Sequence, residues 1–135
     1  MIRVIVVDDH PVVRYAIARL LAKQQDIAVV GEGADGQDAL ALVETQKPDI
    51  LVLDIEMPVM SGIEVAESMF QKASPTKIII LSNYTDRGLV EELFALGARG
   101  YVVKDDAPGH LVNAVHDVYA NGAGWLSPGV RSVLR

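Results

Sequence analysis

Five residues whose side chains could do chemistry stand directly after apolar runs of the sequence: Asp8, Asp9, Asp54, Ser82 and Lys104. If those runs are parallel strands of one sheet, their carboxyl ends meet at one edge, where these side chains would converge. Three carboxylates crowded together repel one another unless a hard cation lies between them. Because these acidic ligands are all oxygens, the sequence predicts a Mg²⁺ site at this edge.

The same residues could carry out phosphoryl transfer. A carboxylate beside Mg²⁺ can attack phosphorus, since the metal and a nearby cation neutralise charge on the transferring group. Lys104 can supply that cation, and the Ser82 hydroxyl can donate a hydrogen bond to a phosphoryl oxygen. The modified carboxylate would gain contacts that the unmodified one lacks, which makes a switch possible.

Each of these residues also has an ordinary structural explanation. An aspartate between a strand and a helix is most often a cap or turn residue, and a lysine there is usually a solvated charge. Ser82 before Asn83 could simply begin a turn. His10 invites a metal-binding interpretation, but its place beside Pro11 favours a helix-start or rim residue. The joint placement at four strand ends favours the chemical interpretation.

The apolar runs predict the sheet that positions these side chains. Five runs rich in Val and Ile lack polar alternation: Val4–Val7, Ile27–Val30, Ile50–Leu53, Ile78–Leu81 and Tyr101–Val103. Continuous apolar strands are typical of a parallel sheet covered on both faces. Segments with helical spacing alternate with them, so we expect an α/β, doubly wound, five-stranded parallel sheet with five flanking helices.

Helix ends are marked in the sequence as well. Pro11 suits a first helical turn, and Ser61 with Glu64 forms a capping box. Gly97 and Gly122 suit the left-handed position that follows a helix. These local signals agree with the alternation of strands and helices, which supports one continuous domain.

Length and composition limit the remaining classes of protein. The chain has 135 residues, 50% hydrophobic and 22% charged, which suits one folded domain. No apolar run approaches the ~20 residues that span a bilayer, so we expect no membrane contact. A net charge of −6 disfavours direct binding to nucleic acid. The absence of cysteine excludes disulfides and thiolate metal sites and suits a cytoplasmic location.

Four motifs follow one another along the chain. They are Val6-Val7-Asp8-Asp9-His10-Pro11, Asp49 to Pro58 with Ser61-Gly62, Leu81-Ser82-Asn83, and Gly100 to Lys104. At these spacings the chain resembles the receiver domains of bacterial response regulators, from Arg3 to about Gly122. The Asp-Asp-His-Pro opening most resembles the NarL/FixJ branch, whose members usually carry a C-terminal LuxR-type helix-turn-helix domain.

The resemblance implies a fold, a modified residue and a metal. The strand order would be 2-1-3-4-5, as in flavodoxin-like and CheY-like proteins. Asp54 would be the phosphoacceptor in a two-component system, with a sensor histidine kinase as the donor. Mg²⁺ would be held by Asp8, Asp9, Asp54 and the backbone carbonyl of Glu56. The chain would be a signalling domain that takes part in its own phosphorylation and dephosphorylation, and not a separate enzyme.

The resemblance also implies how the modified state is read. Lys104 and Ser82 would contact the phosphoryl group, and Tyr101 would be a switch residue that turns inward when Ser82 moves. The alternative for Tyr101 is a static place in the core. Glu56 and Tyr84 lie two residues after the acceptor and the hydroxyl residue, where the family varies, and would tune the lifetime of the phosphorylated state.

Several partners follow from the same resemblance. Phosphorylation would favour a homodimer, through the surface of the fourth helix, fifth strand and fifth helix or through a face that includes the first and fifth helices. DNA would be bound only through a C-terminal helix-turn-helix domain that is not in this chain. The alternative is a stand-alone receiver that signals through protein contacts without DNA output.

Two other families fit the residues poorly. Phosphatases of the haloacid dehalogenase type use an Asp nucleophile on their first strand and need a later acidic pair, where this chain has Ser82-Asn83. A flavodoxin-like cofactor carrier needs a phosphate-binding loop after the first strand. Asp8 and Asp9 would repel phosphate there unless a metal intervened.

The last residues predict a further helix. We expect residues 1–122 to form the receiver domain and 123–135 to be a linker or the start of an interdomain helix, with the DNA-binding output domain absent from this chain. Ser127 suits the helix cap and Pro128 its first turn. The alternative is a short docking tail in which Trp125 and Leu126 pack on the domain.

Overall fold

Strands and helices alternate in the computed structural model, which describes residues 1–122 and 124–134. The strands are β1 (Ile2–Val7), β2 (Ile27–Gly33), β3 (Ile50–Asp54), β4 (Lys77–Ser82), β5 (Gly100–Val103) and β6 (Trp125–Leu126). The helices are α1 (Pro11–Ala22), α2 (Gly36–Gln46), α3 (Gly62–Gln71), α4 (Arg87–Ala95), α5 (Ala107–Asn121) and α6 (Pro128–Val133). A 3₁₀ turn, Lys104–Asp106, joins β5 to α5.

The strands form one parallel sheet in the order β2-β1-β3-β4-β5-β6. The order of the first five strands confirms the prediction. The sixth strand was not predicted, because its two residues, which pair with Gly100 and Tyr101, are too few to form a recognisable apolar run. The strand order reverses between β1 and β3, and the carboxyl ends of these strands open a crevice there.

The sheet is covered on both faces, as the continuous apolar strands predicted. Val4 and Val6 of β1 pack in one core layer with α1 and α5, whereas Ile5 and Val7 pack in the other layer with α2, α3 and α4. All four side chains are at most 1% exposed. Because such cores are close-packed, the ends of the central strands are held firmly in place.

The helix ends agree with the sequence signals. Pro11 lies in the first turn of α1, and Ser61 and Glu64 form the reciprocal capping box of α3. Gly97 and Gly122 adopt left-handed backbone geometry, with φ of 95° and 63°. Within residues 1–122 and 124–134, the helices are all too short or too polar to cross a membrane.

The segment after α5 extends the sheet. The Trp125 N–H donates to the Arg99 carbonyl at 2.8 Å, and the Ser127 N–H donates to the Tyr101 carbonyl at 3.1 Å. Helix α6 begins after Ser127, where the sequence predicted a helix start. Instead of capping that helix, Ser127 Oγ accepts a hydrogen bond from the Val103 N–H at 3.1 Å.

Residues 124–134 therefore pack on the same domain as residues 1–122. Val130 of α6 is 0% exposed and belongs to the core layer that also contains Tyr101. Two residues of the predicted linker 123–135, Ala123 and Arg135, lie outside the described residues. The linker role of this segment stays a prediction.

Candidate functional site

The carboxyl ends of the central strands bring the predicted site residues together. Asp54 ends β3 and Ser82 ends β4, while Asp8 follows β1 and Lys104 follows β5. Asp9, Asp54, Ser82 and Lys104 line one open cavity of about 840 Å³. Asp8 is 0% exposed and contacts Lys104 of that lining. The structure thus places all five side chains at one edge of the sheet.

Lys104 joins two of the acids. Its Nζ lies 3.0 Å from Asp8 Oδ2 and 3.6 Å from Asp54 Oδ2. The Lys104 side chain is only 12% exposed, and the side chain of Asp8 is fully buried. A cation held in this way between buried carboxylates is not the solvated surface charge that a lone lysine at a strand end would be.

The environment of Asp54 disfavours its charge. Burial, followed by the charge of Asp8, raises the pKa of the Asp54 carboxyl to about 6, although Lys104 opposes this shift. Asp9 raises it further through a hydrogen bond and its charge. At pH 7 the carboxyl is therefore largely ionised but poorly compensated, so a further cation at this site would be favourable.

Two buried oxygens of the cluster, Asp8 Oδ2 and Asp9 Oδ1, accept no hydrogen bond from the described residues. Lys104 is an ion-pair neighbour of Asp8 Oδ2, but without hydrogen-bond geometry. Buried oxygens without donors are costly unless a cation compensates them. Ligand atoms of Asp8, Asp9, His10 and Asp54 all lie within 4.8 Å of one another. These residues fit a small divalent cation such as Mg²⁺.

Ser82 and Tyr101 are both anchored to the backbone of Tyr84. Ser82 Oγ accepts a hydrogen bond from the Tyr84 N–H at 3.0 Å, and the Tyr101 hydroxyl donates to the Tyr84 carbonyl at 2.7 Å. Tyr101 is 0% exposed, and this burial raises the pKa of its hydroxyl. A movement of Ser82 would therefore disturb the residue whose carbonyl holds Tyr101. The sequence contained no signal for this shared anchor.

The side chains of Glu56 and Tyr84 meet at the mouth of the cavity. The Tyr84 hydroxyl donates to Glu56 Oε2 at 3.3 Å, and both residues line the cavity next to Asp54. The sequence predicted that these two positions tune the phosphorylated state, but it did not predict that they touch. Their effect on its lifetime stays a prediction.

The loop after Asp54 is constrained by its backbone. The Met60 N–H donates to the Pro58 carbonyl at 2.7 Å, which closes a tight turn in which Val59 has φ of 70°. A β-branched residue rarely adopts this geometry, so the loop stores strain beside the site. A Cβ at Gly62 would lie 2.5 Å from the Asp54 carbonyl oxygen, so glycine is required beneath Asp54.

Comparison with known proteins identifies this arrangement. A profile of the response regulator receiver domain family matches residues 4–116. The chain belongs to this family. This chain is 34% identical over 129 residues to the transcriptional regulatory protein DegU of Brevibacillus brevis, a match that covers 96% of this chain and 54% of that protein. It is 37% identical over 120 residues to the response regulator UvrY of Escherichia coli K12, a match that covers 89% of this chain and 55% of that protein.

Solved structures agree with the family assignment. The signal receiver domain of the response regulator NarL from Mycobacterium tuberculosis matches with a TM-score of 0.85 and 35% identity, over 89% of this chain and 97% of that chain. A LuxR-family response regulator from Aurantimonas sp. SI85-9A1 matches with a TM-score of 0.91 and 34% identity, over 98% of this chain and 94% of that chain. The predicted fold and NarL-type branch are confirmed. The chain spans about half the length of the two relatives named above.

Proposed function

We propose that Asp54 accepts a phosphoryl group from a phosphohistidine of a sensor histidine kinase and thereby switches a transcriptional regulator. The observation that carries this proposal is the Lys104 ammonium, 3.0 Å from Asp8 and 3.6 Å from Asp54. A cation in this place can neutralise a phosphoryl oxygen as it arrives on Asp54. Membership of the receiver family supports the same class of reaction.

The chemistry is an in-line displacement on phosphorus. An Asp54 carboxylate oxygen bonds to phosphorus while the bond to the kinase histidine nitrogen breaks, and the electron pair of that bond stays on the imidazole. A pKa of about 6 leaves Asp54 ionised at pH 7 in a poorly solvated place, which suits a nucleophile. Mg²⁺ bound by Asp8, Asp9, Asp54 and the Glu56 backbone carbonyl would neutralise the phosphoryl oxygens.

Ser82 and Tyr101 report the modification in this proposal. A phosphoryl oxygen attracts the Ser82 hydroxyl as a hydrogen-bond donor, whereas in the unmodified chain its oxygen accepts from the Tyr84 N–H. Moving Ser82 toward Asp54 would release that N–H and let the Tyr84 backbone shift, together with the carbonyl to which the Tyr101 hydroxyl donates. The signal would reach the surface around β5 by this route.

The complete protein is proposed to be a cytoplasmic transcription factor with a C-terminal DNA-binding domain. DegU of Brevibacillus brevis is named a transcriptional regulatory protein, and the match to this chain covers 54% of its length. Phosphorylation would promote a homodimer of such a protein on DNA. A receiver that signals only through protein contacts is the alternative, and the downstream coding sequence distinguishes the two.

Incubation with acetyl phosphate and Mg²⁺, followed by intact-mass measurement, tests the phosphoacceptor. Wild type should gain one phosphoryl group that is lost in mild base, because acyl phosphates hydrolyse readily. Asp54→Asn should gain none, and Lys104→Ala should gain it much more slowly. Asp105→Asn, which removes an exposed carboxylate beside Lys104, is the matched control and should behave like wild type.

An equal adduct on Asp54→Asn would overturn the assignment. A full rate in Lys104→Ala would remove the role proposed for the ammonium while leaving the acceptor in place. Size-exclusion chromatography of the same modified wild-type sample would show a dimer if the phosphorylated receiver domain associates by itself.

A further inference from the structure

His10 lies against the acidic cluster as well as at a helix start. Its backbone precedes α1 in extended geometry, with φ of −90° and ψ of 109°, as its place beside Pro11 predicted. Its Nδ1, however, lies 3.4 Å from Asp8 Oδ1 and 3.1 Å from Asp9 Oδ1. The His10 side chain is 64% exposed, so the ring forms part of the rim of the site.

These two separations match those between neighbouring ligands of one metal ion. With metal–ligand distances of about 2.0–2.1 Å, adjacent ligands lie roughly 3.0 Å apart in an octahedron and roughly 3.3–3.4 Å apart in a tetrahedron. The Nδ1 of His10 could thus share an ion with Asp8 and Asp9 without movement of α1.

The contact between His10 and Asp9 is not an ordinary hydrogen bond. Asp9 Oδ1 is buried and accepts none from residues 1–122 and 124–134, although Nδ1 lies at 3.1 Å. The two atoms are therefore close in distance without being hydrogen-bonded. A nitrogen and an oxygen placed close together in this way can both face a third atom between them.

We propose that His10 Nδ1 is a nitrogen ligand of the metal site, so that the site binds Zn²⁺, Co²⁺ or Ni²⁺ in competition with Mg²⁺. Imidazole suits these borderline cations, whereas Mg²⁺ prefers oxygen and gains little from a ring nitrogen. The inference rests on the Mg²⁺ site of the proposed function. It adds a residue that sets which divalent cations this site selects.

Metal titration of the apo 135-residue protein at a fixed pH tests the role of His10. Calorimetry with Mg²⁺, Zn²⁺ and Co²⁺ is compared between wild type and His10→Asn, since asparagine is also a good helix N-cap and preserves the start of α1. We expect His10→Asn to lower the affinity for Zn²⁺ and Co²⁺ by at least about tenfold, and the affinity for Mg²⁺ by less than about twofold.

Two further variants separate the possible outcomes. His116→Asn is the matched control, because His116 also lies next to an acid, with its Nε2 2.9 Å from Asp26 Oδ2. Asp9→Asn tests the metal site itself and should lower the affinity for all three ions. Zn²⁺ should also shift the Nδ1 resonance of His10 in the ¹⁵N spectrum of the imidazole rings.

Three results would overturn the inference. If His10→Asn leaves Zn²⁺ and Co²⁺ binding unchanged while Asp9→Asn abolishes it, His10 is a rim residue and the Mg²⁺ site stands. If His116→Asn causes the loss, the nitrogen ligand belongs to α5. If Asp9→Asn changes the binding of no ion, the proposed Mg²⁺ site fails together with the role of His10.

Discussion

The acidic edge, formed by Asp8, Asp9 and Asp54, and the terminal segment, residues 124–134, treat buried polar atoms in opposite ways. At the acidic edge, two buried carboxylate oxygens lack a hydrogen-bond donor among the described residues. In the terminal segment, buried Ser127 uses both its N–H and its Oγ in hydrogen bonds to β5. The acidic edge therefore has oxygens that can still bind a cation, whereas the polar atoms of Ser127 are already hydrogen-bonded within the protein.

This difference separates function from stability. Buried polar atoms without hydrogen-bond partners destabilise the folded state, and proteins keep such atoms mainly where they bind a ligand. Asp54 shows a related cost, since burial and the charge of Asp8 raise its pKa to about 6. The terminal segment lies at the outer edge of the sheet, beyond β5, and contributes packing and satisfied hydrogen bonds.

The largest stability effect is expected in the terminal segment. Val130→Ala should lower the free energy of unfolding by about 2 kcal/mol, because it removes two buried methyl groups and leaves a cavity. Urea denaturation followed by circular dichroism measures this change. Val133→Ala, at a position 37% exposed on the same helix, is the control and should change stability by less than about 0.5 kcal/mol. If Val130→Ala changes stability as little as Val133→Ala does, α6 does not pack on the domain in solution.

Removing the charge of Asp54 at the acidic edge should raise the free energy of unfolding, whereas Val130→Ala lowers it. The folded-state pKa of Asp54, about 6, lies above its ordinary value of 3.8, so the folded protein holds the proton more tightly than the unfolded chain. The stability that this protonation contributes is present below about pH 4 and is lost as pH rises through 6. Asp54→Asn keeps the side chain neutral and should therefore be more stable than wild type at pH 7.

The expected gain at pH 7 without divalent metal is about 1–2 kcal/mol. The full shift of about two pKa units corresponds to about 3 kcal/mol, and water in the open cavity beside Asp54 screens part of it. Urea denaturation in EDTA at pH 4 and pH 7 should show the difference shrinking toward pH 4. A difference that is the same at both values would mean that burial of the charge is not its cause.

The smallest effect concerns one hydrogen bond between the terminal segment and β5. Ser127→Ala should destabilise the protein by about 1 kcal/mol, since the Val103 N–H loses its acceptor one residue before Lys104. Ser132→Ala, which removes a hydroxyl bonded to the exposed Gly129 carbonyl, should change stability by less than about 0.5 kcal/mol. If the two variants behave alike in urea, the Ser127 bond does not hold the segment to β5.

Much of the fold followed from the sequence because its signals are local. Each of the first five strands contains a continuous apolar run, and Ser61 with Glu64 marks the start of α3 within one turn. Gly97 and Gly122 mark left-handed positions that glycine adopts at little cost. The strand β6 left no such signal, since its pairing depends on an edge that β5 presents only in the folded sheet.

The site divides in the same way. Residue type and order along the chain determined that Asp8, Asp9, Asp54, Ser82 and Lys104 would meet, because parallel strands deliver their carboxyl ends to one edge. Only the tertiary structure decided the contacts between residues far apart in the chain or across a turn: the Tyr84 anchor, the approach of His10 Nδ1 to two carboxylates, and the bond from Val103 to Ser127. Such contacts depend on distances of a few tenths of an ångström, which close packing sets and which a pattern of residue types does not encode.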